Sequence, residues 1–351
     1  MKLVLRIGEK VVGEGNPTYV IADPAANHEG RYETMEKLLI AAANAGADAF
    51  KTQTYRPEDL TIDCDKDPFM LKGTLWDGRS LWKLYQEAQI PWEWNERLQK
   101  TALDLGIELF STAYSLEALK YLLSIGVPAI KIASFEMNND AFLEQASLTD
   151  VPLIVSTGMA SMDEIVHAHK LLCEKEACFC LLHCISAYPA RPCDLHLRRI
   201  GMMRKFFNEP IGFSDHSLDP ATPALAVAMG ATIIEKHIRL AGHKSLDSGF
   251  SLDEDGFEEC VGLIRLAEEV RGDLMDDELE GHLPVSNELS QIRRSLFLVE
   301  DVKRGDRVSL HNVRAIRPAG GMPPKSLPDL FDMFFKEDYE RGTPLIAEML
   351  T

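Results

Sequence analysis

The chain has 351 residues, a formal net charge of −18 at pH 7 and a sequence pI near 5.0. This acidic balance argues against nucleic acid or an anionic membrane surface as a partner, and an anionic ligand would need a locally basic pocket. The length predicts one large domain and one smaller domain.

The chain has seven cysteines, which is an odd number, and most of them lie in apolar stretches. Both features indicate a reducing compartment. Cys178, Cys180 and Cys184 lack the C-x-x-C spacing of a zinc site, so we expect them to pack in the core. The sequence shows no signal-peptide pattern at its start and no apolar run as long as a membrane span. We therefore expect a cytoplasmic protein.

Strand-like and helix-like segments alternate eight times between residues 18 and 271. The predicted strands are 18–23, 48–53, 107–112, 129–134, 152–157, 179–184, 211–215 and 232–238, and the predicted helices are 34–46, 94–105, 116–126, 139–147, 162–173, 195–207, 222–230 and 257–271. Consecutive parallel strands need such helical crossovers, so the alternation predicts an α/β fold, a closed (β/α)8 TIM barrel.

The longest interruption is the aromatic and charged segment 55–93, which follows the second strand. In a barrel such an insertion lies on the active-site face, so it is either a lid or specificity loop, or a packed surface excursion that never meets the substrate.

The sequence changes character after Gly272. The predicted organisation is a catalytic barrel domain at 1–272, an acidic linker at 273–290 and a small β-rich domain at 291–351, with short strands at 295–299, 301–306, 313–317 and 342–345. A domain of this size has little core of its own, so we expect it to dock on another surface.

The last barrel strand carries three ionisable side chains where a doubly buried strand should be apolar. Glu235, Lys236 and His237 must therefore pair, bind a ligand or lie at the wet end of the strand. Period-two alternation places Glu235 and His237 on one face and Lys236 on the other. The preceding strand ends similarly, in Asp215 and His216. Two histidines at neighbouring strand ends predict a divalent metal site, with a buried structural imidazole as the alternative for each.

Polar groups end every predicted strand, and barrel active sites assemble at those ends. The set comprises Asp23, Lys51, Gln53, Ser111, Thr112, Lys131, Ser134, Ser156, Thr157, His183, Ser214, Asp215, His216, Glu235, Lys236 and His237. Lysines with hydroxyl groups suit a phosphate dianion, since ammonium groups neutralise it and hydroxyls satisfy its oxygens. A barrel lysine can instead form a Schiff base, but the accompanying histidines and carboxylates favour phosphate plus metal. Thr157 and Ser161 precede helices and also suit helix capping.

Seven segments, in order over nearly the whole chain, resemble the sialic acid synthase family. They are 45–53 (AGADAFKTQ), 110–112 (FST), 131–136 (KIASFE), 156–159 (STGM), 183–189 (HCISAYP), 212–216 (GFSDH) and 235–237 (EKH). Residues 291–351 resemble the antifreeze-like (SAF) domain of that family, through Arg293, the segment 301–305 (DVKRG), Asn312 and Arg317. The resemblance implies a domain-swapped homodimer in which the small domain covers the active site of the partner subunit.

The resemblance also implies a transferase of EC 2.5.1 type, which condenses phosphoenolpyruvate with an N-acetylated aminosugar aldehyde to a nine-carbon 2-keto acid and releases phosphate. It implies that phosphoenolpyruvate is held by Lys51, Thr112, Lys131, Ser134, Ser156, Ser186 and Ser214. His216 and His237 would bind Mn²⁺ or Mg²⁺. The sugar would contact Gln53, Tyr188, Glu235, Asp247 and Arg317 of the partner subunit. The catalytic set would be Glu235 or Asp247 as acid or base, with Asp23 and Lys131.

Within the family, the aromatic insertion and the segment 247–252 (DSGFSL) look more like pseudaminic acid synthases than N-acetylneuraminate synthases. A hydrophobic lid suits the methyl and acetyl groups of a 6-deoxy diacetamido sugar. The chain departs from the family pattern at Asp23, where glutamate is usual, and at Ile185 and Ala319, and these departures bear on the sugar more than on phosphoenolpyruvate. The alternatives are a spore-coat or surface polysaccharide relative acting on another sugar, and a sugar-binding protein of the same fold without turnover.

Overall fold

The computed structural model describes residues 4–272 and 287–351. The chain begins with a short antiparallel hairpin, β1 (Leu5–Ile7) and β2 (Lys10–Val12). Eight parallel strands follow and close into a barrel. The barrel strands are β3 (Tyr19–Asp23), β4 (Ala49–Thr54), β5 (Glu108–Ala113), β6 (Ile130–Ile132), β7 (Leu153–Ser156), β8 (Phe179–Cys184), β9 (Ile211–Asp215) and β10 (Ile233–His237). Strand β10 pairs with β3 and closes the sheet, so the barrel has no free edge. The predicted (β/α)8 barrel is confirmed.

Helices connect the strands as the alternation predicted. They are α1 (Tyr32–Asn44), α2 (Pro57–Leu60), α3 (Leu81–Ala88), α4 (Glu93–Leu105), α5 (Leu116–Ser124), α6 (Asp140–Ala146), α7 (Met162–Glu174), α8 (Arg198–Phe206), α9 (Thr222–Ala228) and α10 (Glu254–Arg271). Ser161 forms a capping box with Glu164 at the start of α7, so this serine is a helix cap. None of the helices in the described part of the chain combines the length and the apolar character needed to cross a bilayer.

Strand β10 shows why buried charge is tolerated at this place. All five of its residues are buried. Its register sets Glu235 beside Ser214 of β9 and His237 beside Asp23 of β3, inside the barrel. Lys236 points the other way, where its Nζ donates to Asp215 Oδ2 at 2.6 Å. The predicted alternation is therefore observed, and each ionisable side chain of the strand lies near a polar neighbour.

The chain divides into two compact units, Met1–Asp273 and Leu274–Thr351, and the second is β-rich. It contains α11 (Asn287–Ser290) and an antiparallel pair, β11 (Ser295–Leu298) and β12 (Val313–Ile316). The predicted strands at 301–306 and 342–345 are held by single bridges, Val302 to Tyr339 and Phe297 to Pro344. Leucine and valine side chains from these segments form a small core within the unit. Of the predicted linker 273–290, residues 273–286 lie outside the described residues.

Candidate active site

A cavity of about 410 Å³ opens at the carboxyl ends of the barrel strands, a volume that suits a small-molecule ligand. Fourteen of the fifteen residues to which the family resemblance assigns a role line it: Asp23, Lys51, Gln53, Thr112, Lys131, Ser134, Ser156, Ser186, Tyr188, Ser214, His216, Glu235, His237 and Asp247. The remaining one, Arg317, lies just after β12 in the second unit and is exposed. The barrel thus brings together residues that are more than 200 positions apart in sequence.

Lys51 is a buried cation compensated by carboxylates. Its Nζ lies 2.7 Å from Asp23 Oδ2 and 4.0 Å from Glu235 Oε2, and donates to Thr112 Oγ1 at 3.3 Å. Burial lowers the pKa of Lys51, but the two carboxylates outweigh this effect and leave the pKa raised. Burial raises the pKa of Asp23, and Lys51 and His237 reverse that effect and leave it lowered. Lys51 and Asp23 therefore form a charged pair.

Lys131 is a buried cation without such a partner. Its Nζ donates to Ile132 O at 2.9 Å and to Ser156 Oγ at 2.6 Å, and no carboxylate oxygen among the described residues forms an ion pair with it within 4.0 Å. Burial lowers the pKa of Lys131, the charge of Glu235 opposes this, and Lys51 lowers it further. A buried ammonium group without an adjacent anion favours an anionic ligand at this position.

Serine hydroxyls surround the backbone of Gly158 on the same side of the cavity. Gly158 N donates to Ser134 Oγ at 2.9 Å. Ser186 Oγ is buried and has no hydrogen-bond partner. A Cβ added at Gly158 would lie 2.3 Å from Ser186 Oγ and 2.7 Å from Ser134 Oγ, so only glycine allows this close approach. A buried hydroxyl without a partner is a place where a ligand oxygen can complete the hydrogen bonding.

His216 and His237 lie side by side, with their ring centroids 5.1 Å apart and their planes at 30°. His216 Nδ1 lies 2.8 Å from Ile185 O, and an Nδ1–H that donates to this carbonyl leaves Nε2 with the lone pair that a metal requires. His237 Nδ1 is buried without a hydrogen-bond partner, 3.5 Å from Asp23 Oδ2. Burial lowers the pKa of His237 to about 4, so this ring is neutral at pH 7. The neutral ring of His237, with its partner-free Nδ1, and the Nε2 of His216 beside it fit a metal ion.

The metal donors of this pair are incomplete within the protein. In the part of the chain that the structure describes, no third His, Cys or acidic side chain joins His216 and His237 in a group whose donor atoms all lie within 4.8 Å of one another. An ion held here would take its other ligands from substrate and water, which is typical of a catalytic metal site.

Two carboxyl groups at the cavity differ in their surroundings. Asp247 Oδ2 accepts from Ala26 N at 2.9 Å, and burial raises the pKa of Asp247 to about 6. Glu235 Oε1 accepts from Ser214 Oγ at 3.0 Å, while its buried Oε2 has no hydrogen-bond partner. A carboxyl group with a pKa near 6 exchanges protons readily at neutral pH, so Asp247 is suited to acid–base chemistry.

The insertion 55–93 forms an apolar wall of the cavity. It contributes Tyr55, Leu60, Leu71, Thr74, Trp76, Leu81, Leu84, Tyr85 and Ala88. Trp76 Nε1 donates to Leu246 O at 3.0 Å, and its ring packs against Tyr188 and Phe250. This position favours the predicted lid or specificity loop over a packed surface excursion that never meets the substrate.

Several cavity residues were not singled out by the sequence analysis, among them Cys184, Tyr114 and Glu136. Cys184, which we expected in the core, lines the cavity with its Sγ 3.9 Å from His216 Nδ1. Tyr114 also lines the cavity and is half-buried. Period-two counting finds Tyr114, which lies two residues after Thr112, whereas the facing of Cys184 follows from its pairing with Ser214 in the sheet.

Three further expectations need correction. His183 faces away from the cavity, and its Nε2 lies 2.7 Å from Leu195 O, so it is a structural imidazole. Lys236 is buried against Asp215 on the outer face of the sheet and does not line the cavity. Cys178, predicted to pack in the core, is exposed, because it precedes β8 rather than lying within it.

Comparisons with known proteins cover most of the chain. The sequence model of the NeuB family matches residues 38–276. The pseudaminic acid synthase of Campylobacter jejuni subsp. jejuni serotype O:23/36 (strain 81-176) is 39% identical over 332 residues, which are 93% of this chain and 95% of that protein. The pseudaminic acid synthase of Helicobacter pylori (strain ATCC 700392 / 26695) is 35% identical over 337 residues, 95% of this chain and 97% of that protein.

A solved structure shows the same architecture. The N-acetylneuraminic acid (sialic acid) synthetase from Leptospira borgpetersenii serovar Hardjo-bovis, in complex with citrate, superposes with a TM-score of 0.70 at 28% identity. The alignment covers 82% of this chain and 94% of that chain. The similarity in sequence and in fold therefore extends over most of the length of these proteins.

Proposed function

The chain belongs to the NeuB family, and from this membership and the charges of the cavity we propose that it is a phosphoenolpyruvate-dependent nonulosonic acid synthase. The resemblance predicted from the motifs is thereby confirmed. The reaction joins C3 of phosphoenolpyruvate to the aldehyde carbon of an N-acetylated aminosugar, takes up one water and releases phosphate, as a transferase of EC 2.5.1 type would. The pseudaminic acid synthases among the relatives favour a diacetamido-trideoxy hexose as the sugar.

Lys131 is the observation that carries this proposal. Phosphoenolpyruvate brings a phosphate and a carboxylate, and Lys131 is a buried cation with no carboxylate paired to it among the described residues. The partner-free hydroxyl of Ser186 and the hydroxyls of Ser134 and Ser156 lie around the same part of the cavity. Phosphate oxygens accept hydrogen bonds from such hydroxyls, and ammonium groups neutralise their charge. Lys51, already paired with Asp23, adds a second cation.

The apolar wall supports the assignment of the sugar. The ring methyl group and the acetyl methyl groups of a diacetamido-trideoxy hexose lose less hydration than hydroxyl groups do when they contact Trp76, Leu84 and their apolar neighbours. A fully hydroxylated sugar would leave its polar groups without partners along this wall.

The residues divide the chemistry as follows. His216 and His237 would hold a divalent metal, Mn²⁺ or Mg²⁺, which when bound would supply a Lewis acid for the aldehyde oxygen of the sugar. C3 of phosphoenolpyruvate attacks the aldehyde carbon, water adds at C2, and the tetrahedral adduct loses phosphate. The water that adds at C2 gives up one proton, and the former aldehyde oxygen takes up one proton to become a hydroxyl group. A single carboxyl group can therefore carry a proton from the first to the second. Asp247, with its raised pKa, is suited to that role, and Glu235 is the alternative.

Asp23 stands where glutamate is usual in the family, and its side chain is shorter by one methylene group. Its Oδ2 lies 2.7 Å from Lys51 Nζ, and its Oδ1 accepts from Ala25 N at 2.8 Å. We propose that this pair positions Lys51 towards phosphoenolpyruvate.

The substitution Asp247→Asn should remove one limb of the pH profile. As a base, Asp247 works only when ionised, so the kcat/KM of the parent protein should rise with pH through about 6 and level off above it. The variant should lose about 10²- to 10⁴-fold in kcat and show no such limb. If the limb persists in Asp247→Asn, the titrating group is a different one, such as His216.

The substitution Gly158→Ala should impair phosphoenolpyruvate binding. The new methyl group would displace Ser186 and Ser134 by an ångström or more, and misplacement of that order costs about 100-fold in kcat/KM. The matched control is Gly201→Ala on α8, where the added Cβ meets only Met229 O at 3.9 Å. Steady-state kinetics with varied phosphoenolpyruvate would measure both, and equal effects of the two changes would contradict the assignment.

Phosphate release from phosphoenolpyruvate tests the proposed reaction. The assay contains Mn²⁺ and, one at a time, N-acetylmannosamine and the diacetamido-trideoxy hexoses. We expect release with a diacetamido-trideoxy hexose and none with N-acetylmannosamine. Release with N-acetylmannosamine alone would overturn the sugar but not the reaction. Binding of phosphoenolpyruvate without release for any sugar would favour a polysaccharide relative with another acceptor, or a sugar-binding protein without turnover.

We further propose that residues 291–351 form an SAF domain and that Arg317 acts on the active site of a partner subunit in a homodimer. The position of Arg317, exposed directly after β12, is compatible with contact to a second molecule. Sedimentation of the active enzyme tests this proposal, because a fully active monomer would contradict it.

A further inference from the structure

A second group of metal-ligand side chains lies at the opposite end of the barrel from the cavity. His169 and Cys173 stand four residues apart on α7, and Glu209 directly precedes Pro210 and β9. Among the residues that the structure describes, these three form a group whose ligand atoms all lie within 4.8 Å of one another. The final turn of α7 and the start of β9 both lie at the amino-terminal end of the strands, so this group is separate from the proposed active site.

The contacts within the group are close and specific. His169 Nε2 lies 2.8 Å from Glu209 Oε2. Cys173 Sγ lies 3.6 Å from His169 Nε2 and 3.8 Å from Glu209 Oε1. The imidazole is held between Phe207 and Phe179, whose ring centroids lie 4.6 Å and 5.5 Å from its own. The carboxylate is buried and the thiol is exposed, so an ion can reach the group from solvent.

These separations match the dimensions of a zinc site. With Zn–S bonds of about 2.3 Å and Zn–N or Zn–O bonds of about 2.1 Å, a tetrahedral ion places the sulfur about 3.6 Å from each of the other donors. The sulfur distances, 3.6 Å to His169 Nε2 and 3.8 Å to Glu209 Oε1, are close to that value, whereas His169 contacts the other carboxylate oxygen, Oε2, so the carboxylate would rotate to present one oxygen to the ion. The imidazole and the carboxylate, now joined by a hydrogen bond, would move apart by about half an ångström as the ion replaces the shared proton.

We propose that His169, Cys173 and Glu209 form a zinc site that stabilises the barrel. A site with a thiolate, an imidazole and a carboxylate as ligands selects Zn²⁺ over Mg²⁺ and Mn²⁺. The proposed ligands of the active-site metal, His216 and His237, include no thiolate. Binding ionises the thiol and releases its proton to solvent, and water takes the fourth position. The ion would link α7 to the segment before β9, and residues at this end of a barrel serve stability rather than catalysis.

Cobalt absorption tests the site, because Co²⁺ replaces Zn²⁺ and gives a thiolate-to-metal charge-transfer band only when sulfur is a ligand. Full-length protein is stripped of metal, kept reduced without added thiols and titrated with CoCl₂. We expect the charge-transfer band and the intense visible bands of tetrahedral Co²⁺, both of which ZnCl₂ should abolish by displacement. Cys173→Ser should lose the charge-transfer band, and Glu209→Gln should weaken Co²⁺ binding at least tenfold.

The matched control is Cys178→Ser, which removes an exposed thiol near the same end of the barrel and should keep the band. In parallel, ZnCl₂ at about a hundredfold excess over its Kd should raise the melting temperature of the parent by roughly 4–5 °C. Cys173→Ser should lack this rise. The proposal is wrong if the parent shows no charge-transfer band or if Cys173→Ser retains the band. It is also wrong if His216→Ala abolishes the band, because that result would place the thiolate ligand in the active-site cavity, at Cys184.

Discussion

Replacement of Lys131 by methionine is expected to lower kcat/KM for phosphoenolpyruvate by about 10²- to 10³-fold or more, while the protein stays folded. Lys131 is the buried cation without a paired carboxylate among the described residues, so its charge is available to the substrate. Methionine keeps most of the side-chain volume but removes the ammonium group. Steady-state kinetics with varied phosphoenolpyruvate and saturating sugar would measure the loss.

The stability of the same variant separates a binding role from a structural one. Burial lowers the pKa of Lys131, which means that the folded protein carries this charge at a free-energy cost. Methionine removes that cost, so the midpoint of urea unfolding for Lys131→Met should equal or exceed that of the parent. An unchanged kcat/KM would refute the assignment of Lys131 to phosphoenolpyruvate, and a large loss of stability would indicate that Lys131 mainly supports the fold.

Lys236→Met should have the opposite pattern, a lower free energy of unfolding by about 3–5 kcal/mol with a comparatively small change in kcat. Lys236 Nζ is fully buried and lies 2.6 Å from Asp215 Oδ2 and 2.5 Å from Ser217 O. Its removal leaves the carboxylate of Asp215 buried without a cation. Urea unfolding followed by tryptophan fluorescence reports on the barrel alone, because all four tryptophans, Trp76, Trp82, Trp92 and Trp94, belong to the first unit.

The double variant Asp215→Asn/Lys236→Met provides the control for this effect. It removes both charges, so it should be more stable than the sum of the two single changes predicts. Additive losses would show that the two side chains do not interact in the folded protein. The substitutions of Lys131 and Lys236 thus compare two buried lysines of one barrel. Of these two, Lys131 faces the cavity and Lys236 does not.

The barrel could be predicted because its pattern is local. Apolar strands and amphipathic helices each have their own period, and their regular alternation admits few folds. The same logic placed most of the candidate residues, since strand ends meet on one face of a barrel. It also separated Lys236 from Glu235 and His237, because alternation along one strand requires no knowledge of its neighbours.

Errors arose at residues that end a strand or lie next to one. Cys184 ends β8, and its facing follows from its pairing with Ser214 of β9, whereas Tyr114 follows β5 two residues after Thr112. Cys178 directly precedes β8, whose predicted and observed start is Phe179, so the error concerned the burial of the residue before the strand and not the position of the strand. The role of the insertion 55–93 also needed the structure, because an aromatic-rich segment packs equally well over a cavity or on a remote surface.

By itself, the sequence determined the fold class, the end of the barrel that carries the polar groups, and the chemical types of those groups. The tertiary structure alone decided which charges are compensated. Asp23 pairs with Lys51 and Asp215 with Lys236, whereas Lys131 has no carboxylate beside it in the described chain. Compensation depends on distances of a few ångströms between residues far apart in sequence, and neither composition nor spacing encodes such distances. The same holds for Glu209, which only folding brings to His169 and Cys173.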